Sequence, residues 1–582
     1  MDSGFHRLQE AKRASTVDVS ELERTARTSA FHQYLEDVLV ELCAIDTTPK
    51  ADVREAADAE SRVFDVIERE IAACCFRHGR AARVPIELRI ADHPFFSFPY
   101  YTQTPEAPGG LPVDRCYAGR GNLLFLVDGA QCDEAGVNQA INVHVDVVAP
   151  YVLPRRVGPS VWGRGACDDK GNVAALLGAL RLLGAHLARE GCRFNRHLTA
   201  MFVIDEEPGG NGSLSCAIDR TLKERYDSLL VLECTGGRVH PGNRGCVWYK
   251  IDGELPRVNL FEAASFIVEE LEREQRALEA ESDHPLFPHR PVQSCYGIIG
   301  NSGQHPSRVN ADVQFRIEFD SQSGRERAAS PVRDAIESGL GEYIGLYGDK
   351  TKAGKPTSGK PKLARHYDLG RCPSGFSVRV RGVAGHMGKI RECDGAITKM
   401  AAMVRALVRS RSAIALAAGS PARLSLADWP DASKLVLEGG QGFLPTHTMD
   451  DVRQRLREAV WRGGRRYFGL VGSSADPTAV LRVSYERLRN AAFAGRPDSP
   501  DMLVALRAAK AVGMDSGGTV RGWDASCDAR IFACEYPSMP VLTAGAGALA
   551  HAHSDEERVE IADVARMAEF LARFILEQTR TA

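Results

Sequence analysis

The sequence predicts an α/β fold, with a sheet packed between helical layers and a large α+β insertion interrupting the chain. Three observations lead there. Short runs rich in β-branched residues alternate with helical stretches up to about residue 252, as in strands joined by helical crossovers. From about 253 to 490 the order changes to strand, helix, strand, strand, helix, and that order occurs twice. From about 491 the α/β alternation returns, so the simplest account is one domain split by another.

The elements follow in chain order. Residues 1–30 are polar and mixed in charge and read as an extension or loose helix. From Phe31 to Arg77 apolar positions recur at helical spacing (Tyr34, Val38, Leu39, Leu42, then Val63, Val66, Ile67, Ile71). The helix stop and turn Asp46-Thr47-Thr48-Pro49 separates the two stretches. Strands are expected at 123–127, 141–148, 198–204 and 228–232, with a helix over 172–190, completing a first part at 31–252. Within 253–490 the possible halves 253–370 and 371–490 have nearly equal length and the same order of elements. That suits a divergent duplication, the alternative being one irregular large domain. The Lys/Gly/Pro-rich loop 348–361 marks the join. The closing part, 491–582, gives a helix at 501–511, strands at 529–533 and 541–544, and a final helix at 561–577.

Composition narrows the function classes. The 582 residues are 44% hydrophobic and 26% charged, close to the globular average, which excludes a disordered or collagenous chain. Lys and Arg number 73 against 76 Asp and Glu, so no basic face favours nucleic acid or an anionic membrane. No uncharged apolar run approaches the roughly 20 residues that span a bilayer. The first residues, Met1-Asp2-Ser3-Gly4-Phe5-His6-Arg7, lack the apolar core of a secretory signal. The fifteen cysteines include no C-x-x-C pair and sit in apolar contexts such as Cys43 and Cys234, as reduced core residues do. The expectation is a cytoplasmic protein.

The chemistry concentrates at strand ends. His144 and Asp146, two apart on an expected strand, share a face near its C-terminal end, where open α/β sheets place their ligand crevice. A His can ligate a metal through one nitrogen while a carboxylate fixes the other, although the pair alone also reads as a polar strand end. Gly163-Arg164-Gly165-Ala166-Cys167-Asp168-Asp169-Lys170-Gly171 enters a helix, with glycines for tight turns. Its adjacent acids invite a cation or face the helix dipole. The strand at 198–204 exits into Asp205-Glu206-Glu207-Pro208-Gly209-Gly210-Asn211-Gly212-Ser213, where three successive carboxylates need solvent or a bound cation. Neighbouring side chains on an extended chain point opposite ways, so one Glu can bind metal while the next faces a bound water. Glu233 follows the strand 228–232, with Arg244-Gly245 shortly after, and His551-Ala552-His553-Ser554-Asp555-Glu556-Glu557 precedes the last helix. Two His with several carboxylates and no Cys suit zinc, with manganese or cobalt possible. The surplus of ligands suggests two metals sharing one carboxylate.

In this order the motifs resemble the two-zinc metallopeptidases of family twenty, which include glutamate carboxypeptidase, carnosinase, acetylornithine deacetylase and succinyl-diaminopimelate desuccinylase. The string Leu42-Cys43-Ala44-Ile45-Asp46-Thr47-Thr48-Pro49 is similar to the family's N-terminal helix exit. Gly522-Trp523-Asp524-Ala525-Ser526-Cys527-Asp528-Ala529-Arg530 is similar to its G-x-x-S-D-A-R stretch, with Cys527 as an added residue. The resemblance implies a three-layer zinc-peptidase catalytic domain with an inserted lid, here a duplicated ferredoxin-like unit as in the family's monomeric dipeptidases. It implies one zinc on His144 and Glu233, a second on Glu207 and His553, Asp168 bridging them, and a cis peptide after Asp168. Glu206 would be the general base for a two-metal-activated water, and Asp146 would orient His144. His553 is preferred to His551 because Glu557 follows it by four residues. Arg381-Gly382-Val383-Ala384-Gly385-His386-Met387-Gly388 resembles the lid motif whose His donates to the oxyanion, so His386 would complete the site within one chain.

The activity so implied is hydrolysis of the amide bond of a dipeptide or small N-acyl amino acid. Arg530 is a candidate for the substrate carboxylate, with an internal salt bridge as the alternative. A metal-dependent phosphoesterase would use similar ligands but fits the tandem Glu206-Glu207 and the late His less well. A catalytically silent binding or scaffold member would be expected to lack a ligand or Glu206, and none is missing. A doubled lid favours a monomer; a single one would favour a homodimer.

Overall fold

The structure is a computed structural model and describes residues 19–132, 134–354, 361–373, 375–485, 489–514 and 518–581. Most of the expected extension (residues 1–18) and part of the expected join (355–360) therefore lie outside the described residues.

The first core is built on a six-stranded sheet in the order Gly79–Pro85, Gly121–Val127, Leu198–Val203, Gln139–His144, Ser228–Leu232, Val541–Ala544. The first three strands are antiparallel neighbours, and the last four run parallel. Parallel strands need helical crossovers, and the buried helix Lys170–Glu190 supplies the one from 139–144 to 198–203. Helices Ser29–Cys43 and Ile561–Thr579 pack on it, while Asn211–Ile218 and Ala529–Glu535 pack together elsewhere in the same core. The inner strands are buried on both faces, which is why they read as continuous apolar runs rather than alternating ones. Lys170–Glu190 is long and apolar enough to cross a membrane by length and composition, but it is a core helix, buried over 83% of its most apolar window.

Two expectations for this half need correction. Residues 529–533 are not a strand; Ala529–Glu535 is a helix, buried through Phe532. A short apolar run buried all round carries no periodicity that separates strand from helix. The antiparallel edge strand Gly79–Pro85 was not expected, because it is largely exposed and carries two arginines and a proline.

The insertion has its own hydrophobic core. One of its sheets runs Ser294–Ile299, Lys434–Phe443, Gly245–Glu254, Leu481–Ser484, backed by helices Leu260–Glu281 and Met449–Leu470. The other runs Tyr367–Cys372, Gly375–Arg381, Asp312–Glu318, Arg423–Leu426, with helices Gln322–Tyr347 and Ala396–Arg409. Numbered along the chain, each unit is β-α-β-β-α-β with spatial order 2-3-1-4, so both are ferredoxin-like. They are nested, however: the whole second unit is inserted between the second and third strands of the first. The tandem halves 253–370 and 371–490 do not match the sheets, since strand 434–443 pairs with 245–254 in the register Phe443 to Gly245 through Lys434 to Glu254. That pairing also moves the start of the lid from 253 to Gly245.

Candidate metal centre and active site

Three parallel strands deliver their C-terminal ends to one place. His144 closes its strand, Glu206 and Glu207 follow 198–203, and Glu233 follows 228–232. Asp168 arrives at the N-terminus of the central helix, and His553 precedes the last one. His144 Nε2 lies 3.2 Å from Asp168 Oδ1 and 3.9 Å from Glu233 Oε1. His553 Nε2 lies 3.0 Å from Glu207 Oε1 and 3.3 Å from Asp168 Oδ2. Two donor sets result, His144/Asp168/Asp169/Glu233 and Asp168/Glu207/His553, each with its ligand atoms within 4.8 Å of one another. Asp168 alone belongs to both. All five expected ligands converge; Asp169, noticed in sequence only as half of an acidic pair, joins the first set. His551 lies outside both sets. The peptide between Asp168 and Asp169 is cis, as is Ala149–Pro150.

The electrostatics fit divalent cations. Asp168, Asp169, Glu206, Glu207 and Glu233 are all at most 9% exposed, and no Lys or Arg pairs with any of them among the described residues. Burial, together with the Asp528 and Glu207 carboxylates, raises Glu206 well above the usual carboxylate range. Burial, Asp168 and Glu206 do the same to Glu233. Burial alone would lower His553, yet Glu207 and Asp168 push it up to about 9. So much buried negative charge has to be neutralised, by protons or by cations shared among the carboxylates. A pair of divalent cations with N and O ligands meets that need, and the donors are the types such ions take.

Supporting contacts fix the segments that carry His144, Glu207 and Asp168. The Asp146 carboxylate accepts the backbone N–H groups of Glu206 (3.1 Å) and Glu207 (3.0 Å). His144 Nδ1 lies nearer the Asp146 carbonyl (3.0 Å) than its carboxylate (3.5 Å). The side chain of Asp146 thus pins the glutamate turn, and its main chain orients His144. Glycines 209 and 210 take positive φ in that turn, and a Cβ on Gly210 would fall 2.3 Å from Asp528 Oδ1, so the pair is required. Asp205 holds a left-handed φ of +58° because its carboxylate accepts from Tyr101 (2.6 Å), Tyr117 (2.8 Å) and Arg120 (2.7 Å). Arg120 also pairs with buried Glu60 at 2.6 Å. Sequence reading missed this network, whose contacts to Asp205 and Glu60 bridge 60 to 104 positions of sequence.

Glu557 clamps the other loop. One of its oxygens accepts the N–H groups of Gly165 (2.9 Å), Cys167 (3.1 Å) and Asp168 (3.1 Å), and the other pairs with fully buried Arg164. The Glu four residues after His553 therefore holds the loop that carries Asp168. Lys170 ties the same loop to the first helix exit through the carbonyls of Leu42 (3.1 Å) and Ile45 (2.6 Å). Glu557→Ala strands the Arg164 charge and three backbone donors, and is expected to destabilise the fold by about 3–5 kcal/mol. Urea unfolding at fixed metal concentration measures it, with exposed Glu556→Ala as a control within about 0.5 kcal/mol.

The cleft over the carboxylates is lined by catalytic-domain and lid residues, including His386, Arg244, Asn490, Ser526 and Ser307. His386 stands on the short strand Gly385–His386, paired with Arg308–Val309, and its ring centre lies 4.5 Å from that of His553. Its Nδ1 accepts the Gly388 N–H at 3.0 Å, which places the ring proton on Nε2. Burial, with His553 beside it, lowers its pKa well below the usual value, so the ring is a neutral donor. Arg530 is not among the lining residues. It is 1% exposed and donates to the Gly209 carbonyl at 2.8 Å, behind the glutamate turn. The guanidinium that lines the cleft belongs to Arg244, held by the Pro291 carbonyl (3.1 Å) and Gln293 Oε1 (3.2 Å).

Comparison with known proteins gives a family and a fold. The family model described as Peptidase family M20/M25/M40 matches residues 140–577. A succinyl-diaminopimelate desuccinylase of Methylobacterium radiotolerans is 26% identical over 206 residues, 32% of this chain and 49% of that protein. The chain thus spans about half or less of the length of the curated relatives it matches. Among solved structures, human carnosine dipeptidase 1 superimposes with a TM-score of 0.55 at 12% identity, covering 96% of this chain and 100% of that one. The di-peptidase Dug1p of Saccharomyces cerevisiae gives 0.54 at 11% identity, covering 97% and 98%. At such identities the likeness is one of fold.

Proposed function

The chain belongs to Peptidase family M20/M25/M40, and we propose that it hydrolyses the amide bond of a dipeptide or small N-acyl amino acid at the Asp168-centred cluster. The observation that carries this reading is the pair of buried donor sets sharing Asp168, with Glu206 at their edge on the cleft. His144, Asp168 and Glu233 would hold one divalent cation, with Asp169 beside them, and Asp168, Glu207 and His553 the other. Zinc suits the donors best; manganese or cobalt would also fit. When bound, the cations supply Lewis acidity and lower the pKa of water.

The protein's own groups do the rest. Glu206, a cleft-lining carboxylate that belongs to neither donor set, takes a proton from the attacking water and returns it to the leaving nitrogen. His386 directs its Nε2–H into the cleft, where the carbonyl oxygen gains negative charge. Arg244 offers a fixed positive charge for a substrate carboxylate, the role first sought in Arg530. A metal-dependent phosphoesterase would use similar ligands, but the tandem Glu206-Glu207 and the late His553 fit the amidase arrangement better.

Elemental analysis with a panel of dipeptides, N-acyl amino acids and a phosphomonoester tests the reading. Turnover confined to the amides is expected, and turnover of the phosphoester alone would overturn it. His386→Ala is expected to lower kcat by about a hundredfold to a thousandfold with metal content unchanged. Sedimentation under assay conditions should show monomers turning over, because His386 reaches His553 within one chain.

A further inference from the structure

The nesting of the two lid units leaves a cavity at their seam, about 430 Å³ and separate from the catalytic cleft. The first unit contributes Glu272 and Arg276 from helix Leu260–Glu281, and Tyr296 from its second strand. The second contributes Tyr343, Leu346 and Tyr347 from helix Gln322–Tyr347, and Ile390 from the turn Met387–Glu392. The volume lies within the range of small-molecule sites, roughly 300–1,000 Å³.

Its charges are arranged in depth. Glu272 is 8% exposed and accepts the Tyr347 hydroxyl, and no cation forms an ion pair with it among the described residues. Burial raises its pKa to about 7, with Tyr296 and Arg276 only partly offsetting that. The Tyr343 and Tyr347 rings stand 4.8 Å apart next to it, offering aromatic faces of the kind that attract ammonium groups. The cavity wall also carries positive groups: exposed Arg276, Lys350, which donates to the Arg391 carbonyl, and Arg391, which pairs with Glu279 at 3.0 Å. Val292, Val309, Leu346 and Ile390 add apolar surface to the lining.

We propose that this seam cavity binds a small zwitterion with an apolar body, a free amino acid in chemical class, its ammonium at Glu272 among the tyrosines and its carboxylate toward Arg276 and Lys350. An ammonium there supplies the charge that the buried carboxylate lacks, and the hydroxyls already orient the acceptor. Such a ligand touches both units at once and so holds them in the arrangement seen here. The turn Met387–Glu392 has Met387 in the catalytic cleft, next to His386, and Ile390 and Arg391 in the seam. Occupancy would therefore steady His386. That last link rests on the role proposed for His386; binding does not.

Calorimetric titration tests it with three probes on the full chain: L-phenylalanine, phenethylamine, which lacks the carboxylate, and 3-phenylpropionate, which lacks the ammonium. Saturable binding of phenylalanine is expected, with each single-charge analogue weaker by about tenfold or more, the worth of one charge-assisted hydrogen bond. Glu272→Gln should weaken phenylalanine to a similar degree. Leu346→Trp, at a site 60% exposed on the cavity wall, should block it without disturbing buried contacts. Failure of phenylalanine to bind, or binding that survives both variants unchanged, overturns the proposal. Should Glu272→Gln not fold, Leu346→Trp decides the matter alone. Loss of turnover in the amide panel with seam binding intact would instead count against the hydrolase reading.

Discussion

Glu206→Gln is expected to lower kcat by about a thousandfold, within the range general-base groups supply, with KM changed only a few-fold. The reasoning starts from the turn. Asp146 binds the backbone N–H of Glu206 as well as that of Glu207, so the residue's main chain is held independently of its side chain. Gln keeps the shape and the hydrogen-bonding length but cannot take up a proton. Metal content should stay at the wild-type value, because Glu206 belongs to neither donor set. Stability should hold or rise slightly, since one buried acid is removed from beside Asp528 and Glu207. Elemental analysis, thermal melting and steady-state kinetics on one preparation separate these effects. Undiminished turnover would exclude Glu206 as the base, and loss of metal would make it a ligand instead.

Much of this centre was legible in the sequence because its chemistry is carried by residue type at strand ends. His144 ends an apolar run and Glu206, Glu207 and Glu233 follow others, each read as a strand in an α/β alternation, and the sheet brings parallel strand ends together. The supports were not legible. Asp205 reads as a third acid in a row, yet it is the anchor of a strained backbone, and its partners Tyr101, Tyr117 and Arg120 come from the segment before the second strand. Nothing local marks such partners. Arg530 and Arg244 are also indistinguishable in sequence: both are buried arginines near the site, and only the path of the chain puts one in the cleft and the other behind the turn.

The lid shows the same division. Its elements were readable one by one, and two ferredoxin-like units emerged as expected. Their nesting was hidden, because tandem and nested arrangements list the same elements in the same order. What decides is which edge strand 434–443 takes. It pairs with 294–299 on one side and 245–254 on the other, more than 130 residues back, so the first unit closes only after the second is complete. Contacts of such sequence separation carry no local signal and are made at a high loop-closure cost. Strand 367–372 escaped notice for a simpler reason: it is a largely polar edge strand with no alternating apolar face.

Asp168→Asn should remove both metal ions, whereas His553→Ala should remove one. Asp168 alone spans the two donor sets, with one oxygen 3.2 Å from His144 Nε2 and the other 3.3 Å from His553 Nε2. An amide at that position keeps one oxygen but forfeits the charge and the second acceptor, so neither set retains a shared anion. His553→Ala leaves His144, Asp168, Asp169 and Glu233 intact. Elemental analysis after dialysis against submicromolar metal should therefore fall from two equivalents to near zero in the first variant and to one in the second. Turnover should drop by more than about ten-thousandfold in Asp168→Asn, the sum of lost water activation and lost charge stabilisation. Chelator treatment of the unmodified protein should reach the same rate and also lower Tm. At a free metal concentration a thousand times Kd, each ion stabilises the folded state by about 4 kcal/mol. Metal should bind more weakly as pH falls, because protons compete for His553, which its neighbouring carboxylates hold at about 9 when no cation is present. Two equivalents retained in Asp168→Asn would mean that the ions do not share this carboxylate, and the arrangement of the site around it would have to be abandoned.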